Sequence, residues 1–510
     1  MHFSVFRVGK LINSKNTNVY FCIGHEMSEK IIIFYPNERI LEALQADSLS
    51  FVSIDENLCI SNFEKGIFQT RQTLSDIECN PFSISEIENF YAKIDYYSPV
   101  FSRWEHKGYE HELLKEEILI KIMRLSKLIT DLKITKAVML TGSSHHLDTY
   151  TFELALSYKK IPQIFLYAEN ITGRLLPVKQ LHGVKDRSPL RLKISDFTYE
   201  NVIDRVILSN YILPKMSNTM RLVNVLKQSF LFNILYLIVR KIRQLFRRMW
   251  FSLVWSDHKY NFSNRIGETL FSDLDLIRTQ YQFLRRYKSH SVGFDEIDKG
   301  QPGLVIMAHL QPEATSFPEG GRTYSHIALA SHFRKLCYEG PIYYKEHWAS
   351  SNYLDGGYHN KLTSIPSRVG VNRDTNYCER LINLNCSLLP MNSPMPHEIK
   401  AVIVTIAGSI AIERALKGYV TIYSGLPWWK GLPGTLHIDE LGECFTKIPE
   451  DWTNACPKRA NHAKLFLLEL LNENTLSNEI GIGLTDKIGI QPKFAIEFRS
   501  LIKNIIELED

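Results

Sequence analysis

Between residues 304 and 423 short apolar runs alternate with helical stretches, and this alternation constrains the fold more than any other feature of the chain. The runs at 304–308, 342–344, 368–371, 387–390, 402–406 and 419–423 are too short for helices and read as buried strands. Stretches at 324–338, 375–384 and 409–417 carry helical patterns between them. Strands joined through helices form a parallel sheet covered on both faces. Ligands of such sheets lie outside the carboxyl ends of the strands. Three unusually polar or small-residue loops, beginning at 309, 345 and 407, fall at such ends.

The first half carries a shorter version of the same pattern. Residues 136–141 read as a buried strand, followed by the loop GSSHHLD, a helix near 149–158 and a strand at 163–167. A helix precedes them at 110–132, and 19–23, 30–35 and 49–54 read as strands in a β-rich start. At 510 residues the chain is long enough for two large domains. The expected division is 1–285, 286–490 and a C-terminal helix at 491–510, within an α/β fold class.

Composition narrows the function classes. An apolar content of 45% and a charged content of 23% are ordinary for a globular protein. The net charge of +5 is small for this length, and aromatic residues do not interleave repeatedly with Lys and Arg, so no nucleic-acid partner is expected. The eight cysteines form no CxxC and no zinc-type spacing, which suits reduced structural thiols in the cytoplasm. The N-terminus lacks a signal-peptide core, and no apolar run reaches the roughly 20 residues of a spanning helix. Residues 229–255 are different. An apolar stretch leads into Arg240, Lys241, Arg243, Arg247 and Arg248 interleaved with Ile242, Leu245, Phe246, Met249, Trp250 and Phe251. Such a helix suits an anionic membrane surface, and equally the core of a helix between domains.

Candidate chemistry collects in the loops. At 402–418 a buried strand ends in a small-residue turn before a helix. Free N–H groups at such a turn suit an anion. There Gly408 permits close approach and Ser409 adds a hydroxyl, while Glu413, one turn on, can accept bonds from ribose hydroxyls. The plain alternative is that Ser409 is an N-cap and Glu413 a solvated helix residue. Downstream, Trp428 and Trp429 stand in a Gly/Pro-rich loop; exposed, they would stack on a base or sugar ring, and buried, they would anchor the loop. Lys345 and His347 follow a strand and can offset a leaving phosphate's charge. His309, Gln311, Glu313 and Thr315 crowd a loop shaped by Pro312 and Pro318. In the first half, Asp148 or a histidine of the pair His145 and His146 can serve as base toward an acceptor hydroxyl. These three potential ligands in one loop do not make a metal site. Asp273-Leu-Asp275 matches a metal–nucleotide pattern, but lies in an amphipathic stretch and reads as a solvated helix face.

In combination, HxQPExT…EGG, KEH and TIAGSIAIERALKG…SGLPWW resemble the capsule polysaccharide biosynthesis family, which is similar to bacterial Kdo transferases that use CMP-activated sugar. The stretch SSHHLDTYTFELALSYKKIP…ITGR resembles the acceptor side of those proteins. The resemblance spans about residues 135–180 and 280–435. It implies a GT-B-like architecture, two Rossmann-like domains facing each other across a cleft, with the donor in the C-terminal one. It also implies that His347 and Ser409 bind phosphate, that Glu413 holds the nucleotide ribose, and that His309, Gln311 and Glu313 line the donor side. Two positions depart from the family: Trp348 replaces the usual proline after the histidine, and Gly408-Ser409 replaces a Ser/Thr pair.

The resulting expectation is a metal-independent glycosyltransferase without a cofactor. It would move a Kdo-like or other acidic sugar from a nucleotide donor, CMP-linked by preference, to a growing capsule or lipopolysaccharide glycan. Asp148, His146, Glu313 and His347 are the catalytic candidates. Its place would be cytoplasmic, peripheral at the inner membrane. Two other readings stand beside it: CDP-polyol phosphate transfer or nucleotide-sugar epimerisation on the same fold, and, from a different class, a non-catalytic subunit of capsule assembly with 229–255 as its docking element.

Overall fold

The computed structural model describes residues 30–34, 49–55, 58–79, 81–104, 111–140, 147–168, 174–180, 187–208, 281–309, 325–347, 375–396, 398–476 and 492–507, with scattered single positions between them. The strands expected at 19–23 and 368–371, and the acidic pair 273–275, lie outside the described residues.

The fold class is α/β, as expected, with two open sheets rich in parallel pairs. The first contains β1 (Lys30–Phe34), β2 (Phe51–Ile54), β3 (Cys59–Glu64), β4 (Ile67–Thr73), β5 (Ile134–Met139), β6 (Gln163–Ala168), β7 (Leu175–Gln180) and β8 (Arg187–Pro189). Its order is β4-β3-β2-β1-β5-β6-β7-β8. Strands β2, β1, β5 and β6 are parallel neighbours, and antiparallel pairs extend both edges.

Strand β1 shows why a continuous apolar run, KIIIF, belongs at the centre. Side chains alternate between faces, so a strand covered on both sides is apolar throughout. Ile32 and Phe34 pack with Phe90, Ile118, Ile122 and Phe152, from the helices Ile84–Trp104, His111–Asp131 and Leu147–Tyr158. Ile31 and Ile33 pack on the other face with Phe498, Leu501, Ile502 and Ile505 of the helix Pro492–Glu507. Lys136, in β5, reaches that helix's last turn, where its Nζ donates to the Ile505 carbonyl at 3.1 Å. A cation there also opposes the negative end of the helix dipole.

The second sheet contains β9 (Gly303–Met307), β10 (Ile342–Lys345), β11 (Cys386–Leu389), β12 (Ala401–Thr405), β13 (Thr421–Tyr423) and β14 (Thr435–His437). All its pairs are parallel, in the order β11-β10-β9-β12-β13-β14. Counted from β9 this is 3-2-1-4-5-6, the strand order of the doubly wound dinucleotide fold. Leu304, Ile306, Val402 and Val404 bury against the helices His326–Lys335 and Thr375–Asn383 and the helical residues 281–289. Val305 and Ile403 face the opposite layer with Met395, Ile399 and Ile410. Gly418, at φ +81, turns the chain out of the helix Ile410–Leu416; a Cβ there would stand 2.3 Å from the Cys456 carbonyl oxygen.

The chain then returns to the first sheet. Leu476 pairs with Leu175 through two backbone bonds of 2.9 and 2.8 Å. Beside this pair, the buried Arg174 donates to the Thr475 carbonyl at 2.9 Å and to Glu497 at 3.3 Å. A shared apolar cluster joins the two halves, with Leu176, Val178, Tyr199 and Ile203 from one and Ala411, Ala415, Trp429 and Leu467 from the other. No helix among the described residues is long and apolar enough to cross a membrane.

Candidate functional site

The winding of the second sheet reverses between β9 and β12: from β9 the chain goes to β10 and β11 on one side, then to β12 on the other. A crevice opens at such a point because the two following loops leave in opposite directions. His309 follows β9, and the turn Ile406–Ser409 follows β12. The two ends touch: His309 Nε2 lies 2.9 Å from Thr405 Oγ1. The Gly408 N–H donates to Thr405 Oγ1 at 3.1 Å, and the Ala407 N–H donates to His309 Nε2 at 3.4 Å.

A second group braces this pair, from the start of the helix His326–Lys335, the end of β10 and Arg373. The buried His326 accepts the His309 backbone N–H on Nε2 at 3.0 Å, and the two imidazoles lie parallel, with an interplanar angle of 5°. Beside them Arg373 and Glu346 form a fully buried ion pair with two bonds, 2.6 and 3.1 Å long. Glu346 also accepts from the Tyr344 hydroxyl at 2.9 Å and the His347 N–H at 2.9 Å, and Arg373 lies over the Tyr377 ring. Burial opposes ionisation of Glu346, but the Arg373 charge and these donors outweigh it and hold the carboxyl below its ordinary value. A buried ion pair satisfied on this scale fixes geometry more than it adds stability.

Three histidines therefore stand together at the ends of β9 and β10, all held neutral. Burial pushes His309 down to about 3, and a proton on His347 would oppose its protonation further. Burial pushes His347 down to about 4 and moves His326 in the same direction. Among the described residues, no group of His, Cys, Asp or Glu is arranged to hold a metal ion.

The expected site residues fall into three sets. His309, His347, Gly408 and Ser409 lie just beyond the carboxyl ends of neighbouring strands, and Glu413 lies in the first turn of the helix that follows β12. Ser409 is at the N-cap position of the helix Ile410–Leu416, yet its side chain makes no capping bond. Glu413 is half-buried, and burial raises its carboxyl to about 8 against a smaller opposing effect of Lys417. It is not the solvated helix residue of the plain alternative.

A second set requires correction. Lys345 is not a free cation at the strand ends: it is 2% exposed, and its Nζ donates to the Met391 carbonyl, just past the end of β11, at 2.8 Å. Strand alternation sends it to the face opposite Glu346, where it ties β10 to the turn after β11. Trp428 and Trp429 do not stack on a ligand from an exposed loop. They are 2% and 0% exposed and pack with Ala411, Ala415 and Leu467, because the Gly/Pro loop folds back over the helix Ile410–Leu416. Gly408, of the first set, has a steric reason of its own to be glycine: a Cβ would stand 2.7 Å from Thr405 Oγ1 and 3.2 Å from His309 Cε1. Its amide is already engaged by Thr405.

The third set, Gln311, Glu313, Thr315 and His146, lies outside the described residues. Asp148 is the second residue of the helix Leu147–Tyr158. The reading of the sequence missed Thr405, His326, Glu346 and Arg373. Thr405 alone carried a signal, as the one hydroxyl in the run VIVTI.

No protein-family model matches the chain, and no curated protein does. Among solved structures, the chain is similar to the KpsC beta Kdo 2,7 transferase of Thermosulfurimonas dismutans, at 11% identity and a TM-score of 0.28, covering 89% of this chain and 97% of that one. It is also similar to the UDP-GlcNAc 2-epimerase of Neisseria meningitidis, at 13% identity and a TM-score of 0.16, covering 93% and 100%. Scores this low carry no argument about function, and the fold rests on the order and direction of the chain's own strands.

Proposed function

We propose that the chain is a glycosyltransferase of GT-B-like construction, which binds a nucleotide-activated sugar at the β9–β12 switch point. The single observation that carries this reading is the contact of His309 with Thr405 at that point, beside the Gly408-Ser409 turn. A 3-2-1-4-5-6 sheet places its nucleotide there, and the motif order after β9, β10 and β12 resembles enzymes that use CMP-sugars. In this reading Ser409 and His347 meet the phosphate and Glu413 meets the ribose. Gln311, Glu313 and Thr315 line the donor side, and Asp148 or His146 takes the acceptor's proton. The first half would bind the acceptor, a capsule or lipopolysaccharide glycan.

The glycan's cytoplasmic end is met at a membrane, and the segment 229–255 suits that surface. In its described part, Leu231, Leu235, Ile238 and Ile242 recur at helical spacing and are 71, 61, 46 and 47% exposed. Cosedimentation with anionic but not neutral vesicles is the expected outcome.

Thermal-shift titration with CMP, CDP, UDP and GDP tests the nucleotide site. Ligand at 100 times its dissociation constant adds about 2.7 kcal/mol. A shift with CMP that Ser409→Ala diminishes supports an acidic-sugar donor; a preference for CDP or UDP moves the reading to polyol-phosphate transfer or epimerisation. No response to any of the four overturns it and leaves the assembly-subunit reading.

A further inference from the structure

The helix His326–Lys335 ends in a Schellman turn. The Cys337 N–H donates to the Arg334 carbonyl at 3.2 Å, and the Tyr338 N–H donates to the Phe333 carbonyl at 3.1 Å. Cys337 takes the left-handed position of that turn, at φ +64, which glycine fills most easily. A thiol therefore stands where any side chain strains the backbone. Cys444 comes far along the chain, just past the helical turn Ile438–Leu441. The Phe445 N–H donates to the Leu336 carbonyl at 2.7 Å, so the peptide groups next to the two cysteines are joined directly. Phe445 is buried and stacks on Tyr338, with ring centroids 5.6 Å apart, and on Trp452 at 5.9 Å. The backbone beside each cysteine is thus anchored in the core. Both cysteines are nevertheless exposed, and their thiols hydrogen-bond to each other.

We propose that Cys337 and Cys444 form a modification site, a dithiol that a small-molecule disulfide such as glutathione disulfide converts to an internal disulfide. Thiols already in contact on anchored backbones have little distance to travel to the about 2.0 Å of an S–S bond. In the first step one cysteine thiolate attacks a sulfur of the small disulfide. That S–S bond breaks, a mixed disulfide forms on the protein, and one small thiolate leaves. In the second step the other cysteine thiolate attacks the protein sulfur of the mixed disulfide and expels the second small thiolate. Two cysteines are oxidised, one small disulfide is reduced to two thiols, and the two cysteine protons end on those thiols. Exposure leaves the bridge open to attack, so excess thiol reverses it. Cys378 and Cys386, by contrast, are buried away from any such reagent. The closed form encloses residues 337–444, which hold every strand of the second sheet except β9. A link across so long a loop restricts the unfolded chain and stabilises the folded sheet. The inference does not depend on the nucleotide-sugar reading.

The test equilibrates the full chain, at low protein concentration, with glutathione disulfide. Free thiols are then alkylated and the peptides mapped by mass spectrometry. The expected result is the Cys337 and Cys444 peptides joined, two hydrogens lighter than their sum, and parted again by excess glutathione. Cys337→Ser and Cys444→Ser should each stop at the first step, with one glutathionyl group on the remaining cysteine. Cys337→Gly relieves the positive φ, so it should fold and react as Cys337→Ser does. The bridged chain should melt several degrees above the reduced chain, and Cys444→Ser should show no such gain. Glutathionyl groups persisting on both cysteines of the unmodified chain, bridges to other cysteines or between copies, or two thiols still open to alkylation overturn the site. A bridge without a rise in melting temperature overturns its stabilising role.

Discussion

Glu413 is the residue whose charge state says most about the site. Its carboxyl is raised to about 8 in the folded chain, against 4.5 without that environment, chiefly by burial. A raised acid contributes stability that is present below 4.5 and is lost as pH rises through about 8, because only the unfolded chain ionises freely in that window. Glu413→Gln removes the titration, so its melting temperature should gain on the native chain's as pH rises from 4.5 toward 8. On the proposed nucleotide-sugar reading, the same residue couples to binding. A ribose diol held by the carboxylate should bind more tightly as pH rises through about 8, and this dependence should vanish in Glu413→Gln when calorimetric affinities are compared. The histidines act in the opposite window. His347 is depressed to about 4 from 6.5, so its contribution is complete above 6.5 and is lost as pH falls toward 4. His347→Asn should make the fall in melting temperature across that range shallower.

At the scale of elements, the loop after β13 shows how burial overrides a local pattern. Gly and Pro mark it as a turn-rich segment, and two adjacent Trp in such a segment suggest exposed stacking. The loop instead folds inward, and both indoles fill the layer between the helices Ile410–Leu416 and Pro457–Leu471. A buried Trp is worth about 3–5 kcal/mol when truncated to Ala. Trp429→Ala should therefore lose that much stability in denaturant unfolding. Trp429→Phe should lose much less, since the Trp429 indole N–H makes no hydrogen bond among the described residues. A lid would behave differently, with stability unchanged and nucleotide affinity reduced. Lys345 makes a related point. Its position at a strand end was legible, but which face it takes depends on a two-residue alternation that begins inside the strand, and its partner is a carbonyl 46 residues away.

The whole molecule is held as one by a chain that crosses twice. After the second sheet, residues 472–476 lie against the segment 194–199 and β7, and the helix Pro492–Glu507 covers a face of the first sheet. Ile31, Ile33, Val138 and Ile164 would face water without it. Deleting residues 492–510 should give a chain that binds a hydrophobic dye and aggregates, as judged by dye fluorescence and light scattering. A soluble, monomeric truncation with normal unfolding would show that the first sheet does not depend on this cover.

What the sequence determined by itself was the succession of elements. Runs such as KIIIF and AVIVT announce strands buried on both faces, and the intervening helical patterns force parallel crossovers. Strand ends, and hence the loops that can carry a ligand, follow from that local pattern. Strand order does not, because it is a choice among pairings far apart in the chain. Only the tertiary structure set β9 beside β12 and brought His309 within 2.9 Å of Thr405, 96 residues on. Only it joined Glu346 to Arg373 across 27 residues, buried the Trp pair and lifted Glu413 toward neutrality. Hydrophobic periodicity is written between neighbours in sequence, whereas a site's contacts and charge states are set by neighbours in space.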